Sequence, residues 1–150
     1  MAHTFTSMLV HIIFSTKERT PLITSEVAER LFPYMGGIIR DLGGTPLLIN
    51  GPEDHVHILS SLPATVALSQ FMKELKGSSS GWANDTLVFR GKFGWQVGYA
   101  AFSVSKSACE SVRAYIANQK EHHRRVTFKE EYLAFLERHE IEYDPRFVFD

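Results

Sequence analysis

Two histidines, His55 and His57, are separated by a single valine in the stretch "DHVHIL". Residues i and i+2 of a β-strand point to the same side, so the two imidazoles stand together while Val56 faces away. Imidazole is a common metal ligand, and two on one strand can bind a divalent cation if a third group arrives from elsewhere. Alone, such a triplet is equally typical of a solvated strand face, so it predicts a metal site only with a third ligand.

Tyr115 and Gln119 lie four residues apart in a predicted helix, with His122 one turn further on. Residues at this spacing share one helix face. A helical tyrosine is more often packed than reactive, and glutamine is an ordinary helix residue. Combined with His55 and His57, however, the amide oxygen of Gln119 would complete a metal site that still has open positions for substrate and water.

A metal beside a tyrosine suggests phosphoryl chemistry. A phenol has a pKa near ~10 and is a poor nucleophile at neutral pH. A divalent ion that binds the scissile phosphate and neutralises its charge lowers the barrier to phenolate attack. Simple hydrolysis has no need of a tyrosine, because a metal can activate water directly. The covalent phosphotyrosine conserves the phosphodiester bond, so the pattern predicts strand breaking and rejoining.

Apolar spacing and turn residues predict the elements that position these side chains. "FTSMLVHIIFST" is a predicted strand, and a helix runs from Ser25 to Gly43-Gly44 with Pro33 inside it. "TPLLIN" and "HVHILSSL" form a predicted hairpin, and "TVALSQFMKELK" a helix that ends in a loop at "GSSSGW". "FGWQVGYAAFSVS" is the fourth predicted strand. Capping boxes at Ser107/Glu110 and Thr127/Glu130 then open two helices, "SACESVRAYIANQKEHH" and "FKEEYLAFLERH".

This order predicts an α+β fold of the ferredoxin-like, split βαβ type. We expect an antiparallel sheet with helices on one face, plus C-terminal helices that carry the tyrosine. The other sheet face is then left for a ligand or a partner. With 150 residues and 44% hydrophobic content, the chain is expected to form a single domain over residues 1–150.

Composition excludes several classes of protein. Cys109 is the only cysteine, which excludes an intrachain disulfide framework and a zinc site built from several thiolates. The apolar run near the N-terminus is short and contains His11, so neither a signal peptide nor a membrane span is predicted, and we expect a soluble cytoplasmic protein. The net charge of −1 conceals a basic segment: residues 106–125 hold five basic and two acidic residues, a local charge of +3.

Three stretches carry a resemblance to a known family: "DHVHIL", "WQVGYAAFSVS" and "YIANQKEHHRRVTFKEEYLAFLERHEIEYD". The chain resembles the single-tyrosine HUH transposases of bacterial insertion sequences, the IS200-like class that includes REP-associated tyrosine transposases. His-hydrophobic-His alone has weak specificity, whereas its combination with a downstream Tyr-x-x-x-Gln is strongly indicative. The likeness covers nearly the whole chain.

The resemblance implies that His55 and His57 form the metal pair, that Gln119 is the third metal ligand and that Tyr115 is the nucleophile. It also implies a substrate of single-stranded DNA folded into hairpins, Mg²⁺ or Mn²⁺ as cofactor, and a 5′-phosphotyrosine intermediate. Members of the family form homodimers in which the tyrosine helix can complete the partner's site.

Several basic residues are predicted to contact DNA phosphates. They are Lys73, Lys76, Arg113, Lys120, His122, Arg124 and Arg125. Since adjacent helical residues diverge by about 100°, His122 and His123 cannot easily bind one ion together, and they are expected to meet the helix dipole or phosphates. No role is predicted for His3, His11 or His139.

Two other functions fit the same fold. One is a non-catalytic module that binds single-stranded nucleic acid, and the other is a metal phosphoesterase in which Tyr115 is structural. The first predicts binding without nicking, and the second predicts cleavage without a covalent adduct. The sequence contains no "K/R-G-F/Y-G/A-F-V-x-F/Y" string of the RNA-binding sheets of this topology.

Overall fold

The computed structural model describes residues 3–150. Its strands are β1 (Leu9–Ser15), β2 (Pro46–Asn50), β3 (His55–Ser61) and β4 (Ala100–Val104). Its helices are α1 (Ser25–Asp41), α2 (Leu68–Thr86), α3 (Cys109–Ala117), α4 (Gln119–His122) and α5 (Phe128–Arg138). Short 3-10 turns cover Lys17–Arg19 and Lys106–Ala108. Within the described range, none of the helices combines the length and the apolar character needed to cross a membrane.

The four strands form one sheet in the order β2-β3-β1-β4, and all neighbours are antiparallel. The hairpin of β2 and β3 therefore lies at one edge, while β1 occupies the centre between β3 and β4. This is the strand order of the ferredoxin-like fold, and it confirms the predicted fold class.

The two faces of the sheet bury different sets of side chains. Val10, Ile12 and Phe14 of β1 point into the core formed with α1 and α2. The alternate residues point the other way, where Ile13 packs beneath α5, and Leu59 of β3 packs beneath α3. The C-terminal helices thus cover the face that was expected to be free for a ligand or a partner, and the histidine pair lies between this face and those helices.

The turn before β3 requires a glycine. A Cβ atom on Gly51 would lie 2.2 Å from the backbone oxygen of His55, a distance that no side chain can accommodate. Glycine permits this close approach of backbone to backbone. The tight turn brings His57 opposite Asn50 of β2 and Ile13 of β1, which fixes the register of the histidine pair.

The predicted loop at "GSSSGW" is wrong, because α2 continues through it to Thr86. Ser79 lies in that stretch and is fully buried. Its hydroxyl donates to the Leu75 carbonyl at 2.6 Å and accepts the Trp95 indole N–H at 2.9 Å. Of the small residues that suggested a loop, Ser79 belongs to the buried stripe of α2, which consists of Phe71, Met72, Leu75, Ser79 and Ala83, while Gly77 and Gly81 face open space.

The fourth strand is shorter than predicted. Only Ala100–Val104 belongs to the sheet, preceded by one isolated bridge between Thr16 and Trp95. The Lys76 ammonium donates to the carbonyl oxygens of Gln96, Val97 and Gly98 at 2.5, 2.9 and 2.8 Å. These carbonyls therefore find a hydrogen-bond partner on α2 although their segment lies outside the strand.

The predicted tyrosine helix is interrupted at Asn118, which separates α3 from α4. The predicted capping box at Ser107 is also wrong, since α3 begins at Cys109 and no side chain caps it. The capping box of Thr127 and Glu130 is confirmed at the start of α5. The break redirects the chain after Tyr115, so that the residues from Gln119 onward fold back over the sheet.

Candidate metal and tyrosine site

His55 and His57 are fully buried side by side on β3. The Nδ1 atom of His55 donates to Oδ1 of Asp54 at 2.7 Å. The Nδ1 atom of His57 lies 2.8 Å from Nε2 of His11, which comes from β1. With both Nδ1 atoms engaged, the two Nε2 atoms face a common space, as a metal-binding pair requires.

Two residues from the C-terminal region join the pair: His123, which follows α4, and Glu131 of α5. The Nε2 atom of His123 lies 3.0 Å from Nε2 of His55, and also 3.0 Å from Oε1 of Glu131. Oε1 of Glu131 lies 2.9 Å from Nε2 of His57. One ligand atom from each of these four residues lies within 4.8 Å of the others. Three imidazoles and one carboxylate are the donors of many divalent metal sites, so this cluster can hold a metal ion.

Glu131 reaches the sheet because α5 turns its apolar face inward. Phe128, Tyr132 and Leu136 pack on Ile13, and Glu131 lies on the same side of the helix. Burial alone would raise the pKa of the Glu131 carboxyl, yet hydrogen bonds from His123, His55 and His57 hold that pKa well below its usual range. The cluster therefore contains a buried carboxylate anion.

The neighbouring imidazoles respond differently to the same burial. Burial lowers the pKa of His57 to about 4 and that of His11 to about 3. Burial also opposes the charge on His55, but hydrogen bonds to Asp54 and Glu131 outweigh it and raise the pKa of His55. His57 is thus neutral at physiological pH, the form in which imidazole binds metals.

Tyr115 lies beside the cluster and shares its carboxylate. The phenol donates to Oε2 of Glu131, while Nε2 of His122 lies 3.2 Å from the same phenol oxygen and 3.2 Å from Oε2. Burial and the contact with Glu131 raise the pKa of Tyr115 well above its ordinary value. The phenol therefore keeps its proton in this arrangement, and Glu131 connects the tyrosine with the imidazoles.

Gln119, the predicted third ligand, is fully buried next to Tyr115. Its amide nitrogen donates to the Tyr115 carbonyl at 3.3 Å. Its amide oxygen is the one buried side-chain polar atom within residues 3–150 that has no hydrogen-bond partner. Such an atom is costly to bury, and a nearby cation would satisfy it. The oxygen suits a metal, and the role of Gln119 as ligand stays a prediction.

Sequence reasoning missed His11, His123 and Glu131. His123 was placed at a helix end for the dipole or for phosphates, but the chain turns at Asn118 and directs its imidazole into the cluster. His122 diverges from it as expected and contacts Tyr115 instead. An acid on the apolar face of the last helix was the signal that could have found Glu131.

The predicted DNA-contacting residues fall into two groups. Lys120 and Arg124, together with Arg19 and His123, line a cavity of about 640 Å³ next to the cluster. Arg113 is exposed on α3, and Arg125 is exposed beside His122. Lys73 and Lys76, by contrast, lie on α2, which covers the opposite face of the sheet, and Lys76 binds backbone carbonyls there. The structure does not bring these two lysines to the cluster.

Comparison with known proteins identifies the family to which the chain belongs. The model of the family described as "Transposase IS200 like" matches residues 4–119. The chain belongs to the IS200-like transposase family. This transposase is 27% identical over 114 residues to the ISDra2 transposase TnpA of Deinococcus radiodurans, a match that covers 73% of this chain and 81% of the relative. It is 28% identical over 130 residues to the transposase of insertion sequence element IS200 from Salmonella typhimurium, covering 81% and 82% of the two chains.

Solved structures show the same fold. A transposase structure from Deinococcus radiodurans superposes on the present one with a TM-score of 0.63 at 24% identity, covering 79% of this chain and 96% of the other. The REP-associated tyrosine transposase, solved with a REP hairpin bound, gives a TM-score of 0.52 at 13% identity, covering 79% and 70%. These structures share the fold, and the family model confirms the family predicted from the sequence.

Proposed function

We propose that this transposase cleaves and rejoins single-stranded hairpin DNA through a 5′-phosphotyrosine at Tyr115. The observation that carries the proposal is the Glu131 carboxylate, which contacts the Tyr115 phenol with one oxygen and the imidazoles of His57 and His123 with the other. A nucleophile and a set of metal ligands thus share one centre. The hairpin bound to the REP-associated relative supports the choice of DNA substrate.

In the proposed cleavage step, the Tyr115 oxygen attacks phosphorus and the bond from phosphorus to the 3′ oxygen breaks. The phenol proton passes to Oε2 of Glu131, which already accepts its hydrogen bond. The leaving oxygen takes up a proton and becomes a free 3′-hydroxyl. In rejoining, a 3′-hydroxyl attacks the phosphotyrosine, and Tyr115 recovers its proton as it leaves. A bound divalent ion would supply charge neutralisation on the scissile phosphate.

The remaining parts of the proposal concern cofactor and partners. His55 and His57 hold the ion, which we expect to be Mg²⁺ or Mn²⁺, and Gln119 is the third ligand predicted from the family. Lys120 and Arg124 are the best placed of the basic residues to bind phosphates, because they line the cavity next to the cluster. A homodimer is expected from the family resemblance.

The test is a search for the covalent intermediate. Purified protein is incubated with a labelled single-stranded hairpin from the flanks of its own gene, with and without Mg²⁺ or Mn²⁺, and run on a denaturing protein gel. We expect label to travel with the protein only when metal is present. The band should be absent from Tyr115→Phe, which lacks the attacking oxygen but retains DNA binding, because phosphate contacts dominate affinity.

The two rival functions give different results in the same experiment. Metal-dependent cleavage that persists in Tyr115→Phe would show that water is the nucleophile, as in a phosphoesterase. Binding of authentic flanking hairpins without cleavage or adduct would show a recognition module. Either result overturns the proposal.

A further inference from the structure

Two of the four residues that could hold a metal ion lie beyond the part of the chain that the family match covers. That match ends at residue 119, whereas His123 and Glu131 lie outside it. Both residues contact the His55 and His57 pair from more than sixty positions away in sequence. The C-terminal segment therefore contributes half of the donor atoms in the cluster.

The hydrogen bonds around the cluster determine which imidazole nitrogens carry protons. His55 donates from Nδ1 to the Asp54 carboxylate, and His123 donates from Nδ1 to the Val126 carbonyl at 2.6 Å. In the neutral form that binds metals, an imidazole has one N–H, so each of these rings then has its lone pair on Nε2. The two Nε2 atoms lie 3.0 Å apart, and they lie 3.3 and 3.0 Å from Oε1 of Glu131. In that form the three atoms surround a space that suits a cation.

The spacing of the donor atoms fits a small ion. Ligand atoms that lie 2.0–2.1 Å from a tetrahedral zinc ion are roughly 3.3 Å from one another. Here Oε1 of Glu131 lies 2.9, 3.0 and 3.3 Å from Nε2 of His57, His123 and His55, respectively. These separations are slightly shorter than a loaded site needs, and the four donor atoms all lie within 4.8 Å of one another, so small adjustments of the side chains would seat an ion between them.

We propose that His123 and Glu131 ligate the same ion as His55 and His57, and that this centre prefers a transition-metal ion such as Zn²⁺, Co²⁺ or Mn²⁺ over Mg²⁺. The proposal rests on the proposed function only for the metal-binding role of the histidine pair. Imidazole donors favour transition metals, whereas Mg²⁺ requires mainly oxygen ligands and keeps several waters. Four protein donors that include three imidazoles are therefore a poor site for Mg²⁺.

Such an ion would tie α5 to the sheet. Glu131 belongs to α5, His55 and His57 to β3, so one ion would crosslink the two elements. The second carboxylate oxygen of Glu131 meanwhile holds the Tyr115 phenol. Metal binding thereby fixes the position of the nucleophile as well as that of the helix, and it stabilises the folded state by mass action.

The experiment measures metal binding by the full chain in the absence of DNA. The metal-free protein is titrated with Zn²⁺, Mn²⁺ and Mg²⁺ by calorimetry, and thermal unfolding is recorded with each ion. We expect the transition metals to bind more tightly than Mg²⁺ and to raise the unfolding temperature more. His123→Ala and Glu131→Gln should lose more affinity than the roughly tenfold to hundredfold that removal of an outer-shell partner costs.

Three variants serve as comparisons. Glu110→Gln and His139→Ala change exposed residues outside the cluster and should bind metal as the unaltered chain does. Gln119→Ala separates the two possible ligand sets. Loss of affinity in both Glu131→Gln and His123→Ala supports the proposal, whereas loss in Gln119→Ala with full affinity in Glu131→Gln and His123→Ala overturns it.

Co²⁺ provides a test that needs no variant. Four-coordinate Co²⁺ absorbs visible light much more strongly than six-coordinate Co²⁺, so the proposed centre should give an intense visible band with the unaltered chain. A weak spectrum, or Mg²⁺ affinity equal to that of Zn²⁺, refutes the proposal. Because no DNA is present, these results stand apart from the adduct assay: metal binding without an adduct would contradict only the proposed function.

Discussion

In each of the three clustered histidines, the Nδ1 atom contacts a neighbouring group that orients the ring. Asp54 orients His55, His11 orients His57, and the Val126 carbonyl orients His123. Outer contacts of this kind fix the tautomer and the ring plane, and so decide which nitrogen faces the metal. At the scale of single residues, the proposed metal site therefore depends on neighbours that are not themselves ligands.

Asp54→Ala should weaken metal binding by roughly tenfold to a hundredfold, because His55 loses the group that orients it. Glu53→Ala is the matched control, since Glu53 is adjacent and exposed and its side chain lies outside the cluster. Calorimetric titration of both variants measures the effect. Equal affinities in the two variants would show that the Asp54 contact does not orient His55.

Lys120 gives a second prediction at this scale. If Lys120 contacts a phosphate of the DNA strand, Lys120→Ala should reduce the slope of log affinity against log salt concentration by roughly 0.7, the contribution of one single-strand phosphate. Arg40→Ala is the control, because Arg40 is exposed on α1, which packs on the opposite face of the sheet. Hairpin binding measured across a salt series provides both slopes. An unchanged slope for Lys120→Ala would exclude the contact.

At the scale of elements, Lys76 organises the segment between α2 and β4. Its ammonium binds three successive carbonyls, and Trp95 from the same segment binds Ser79 on α2. The Lys76 ammonium also lies over the aromatic rings of Phe14 and Tyr99, 5.4 and 5.8 Å from their centroids. A lysine on the neighbouring helix thus satisfies the backbone of a segment that lies outside the strand.

Lys76→Met should lower the free energy of unfolding by about 1.5–3 kcal/mol, the range for hydrogen bonds to a charged group. Lys73→Met changes an exposed lysine on the same helix and should alter stability by no more than about 0.5 kcal/mol. Urea unfolding compares the two variants. Should Lys76→Met instead leave stability unchanged and weaken DNA binding, the original prediction of a DNA contact at Lys76 would be restored.

At the scale of the whole molecule, the tyrosine helix packs on its own sheet. α3 contacts β2 and β3 of the same chain, and the rings of Tyr115 and His57 lie 5.9 Å apart, centroid to centroid. The predicted nucleophile and the predicted metal pair thus lie together within one chain. The family resemblance also allows exchange, in which Tyr115 serves the histidines of a partner chain.

Mixing two inactive variants distinguishes these arrangements. Tyr115→Phe keeps the metal pair but lacks the nucleophile, and His57→Ala has the reverse defect. Because the structure places Tyr115 beside its own His57, we expect the mixture to form no covalent DNA adduct on the denaturing gel. Recovery of the adduct in the mixture would demonstrate exchange of the tyrosine helix between chains.

The sequence by itself determined the strand and helix order and the placement of His55 and His57 on one face of a strand. The twofold period of β3 places His55 and His57 on one face, and the order of apolar runs predicts the split βαβ arrangement that the structure confirms. The sequence-based prediction was wrong at "GSSSGW", because the local composition suggested a loop where α2 continues and buries Ser79. The single domain, the homodimer and the roles of Tyr115 and Gln119 stay predictions.

Only the tertiary structure decided what completes the site. His11, His123 and Glu131 meet the histidine pair across sequence separations of 46, 68 and 74 residues. Periodicity reports which face of its own element a residue occupies, and it carries no information about which distant element covers that face. The turn at Asn118 directs His123 towards the histidine pair. The packing of α5 over the sheet brings Glu131 there, because burying the apolar face of α5 on Ile13 also buries Glu131 among the imidazoles.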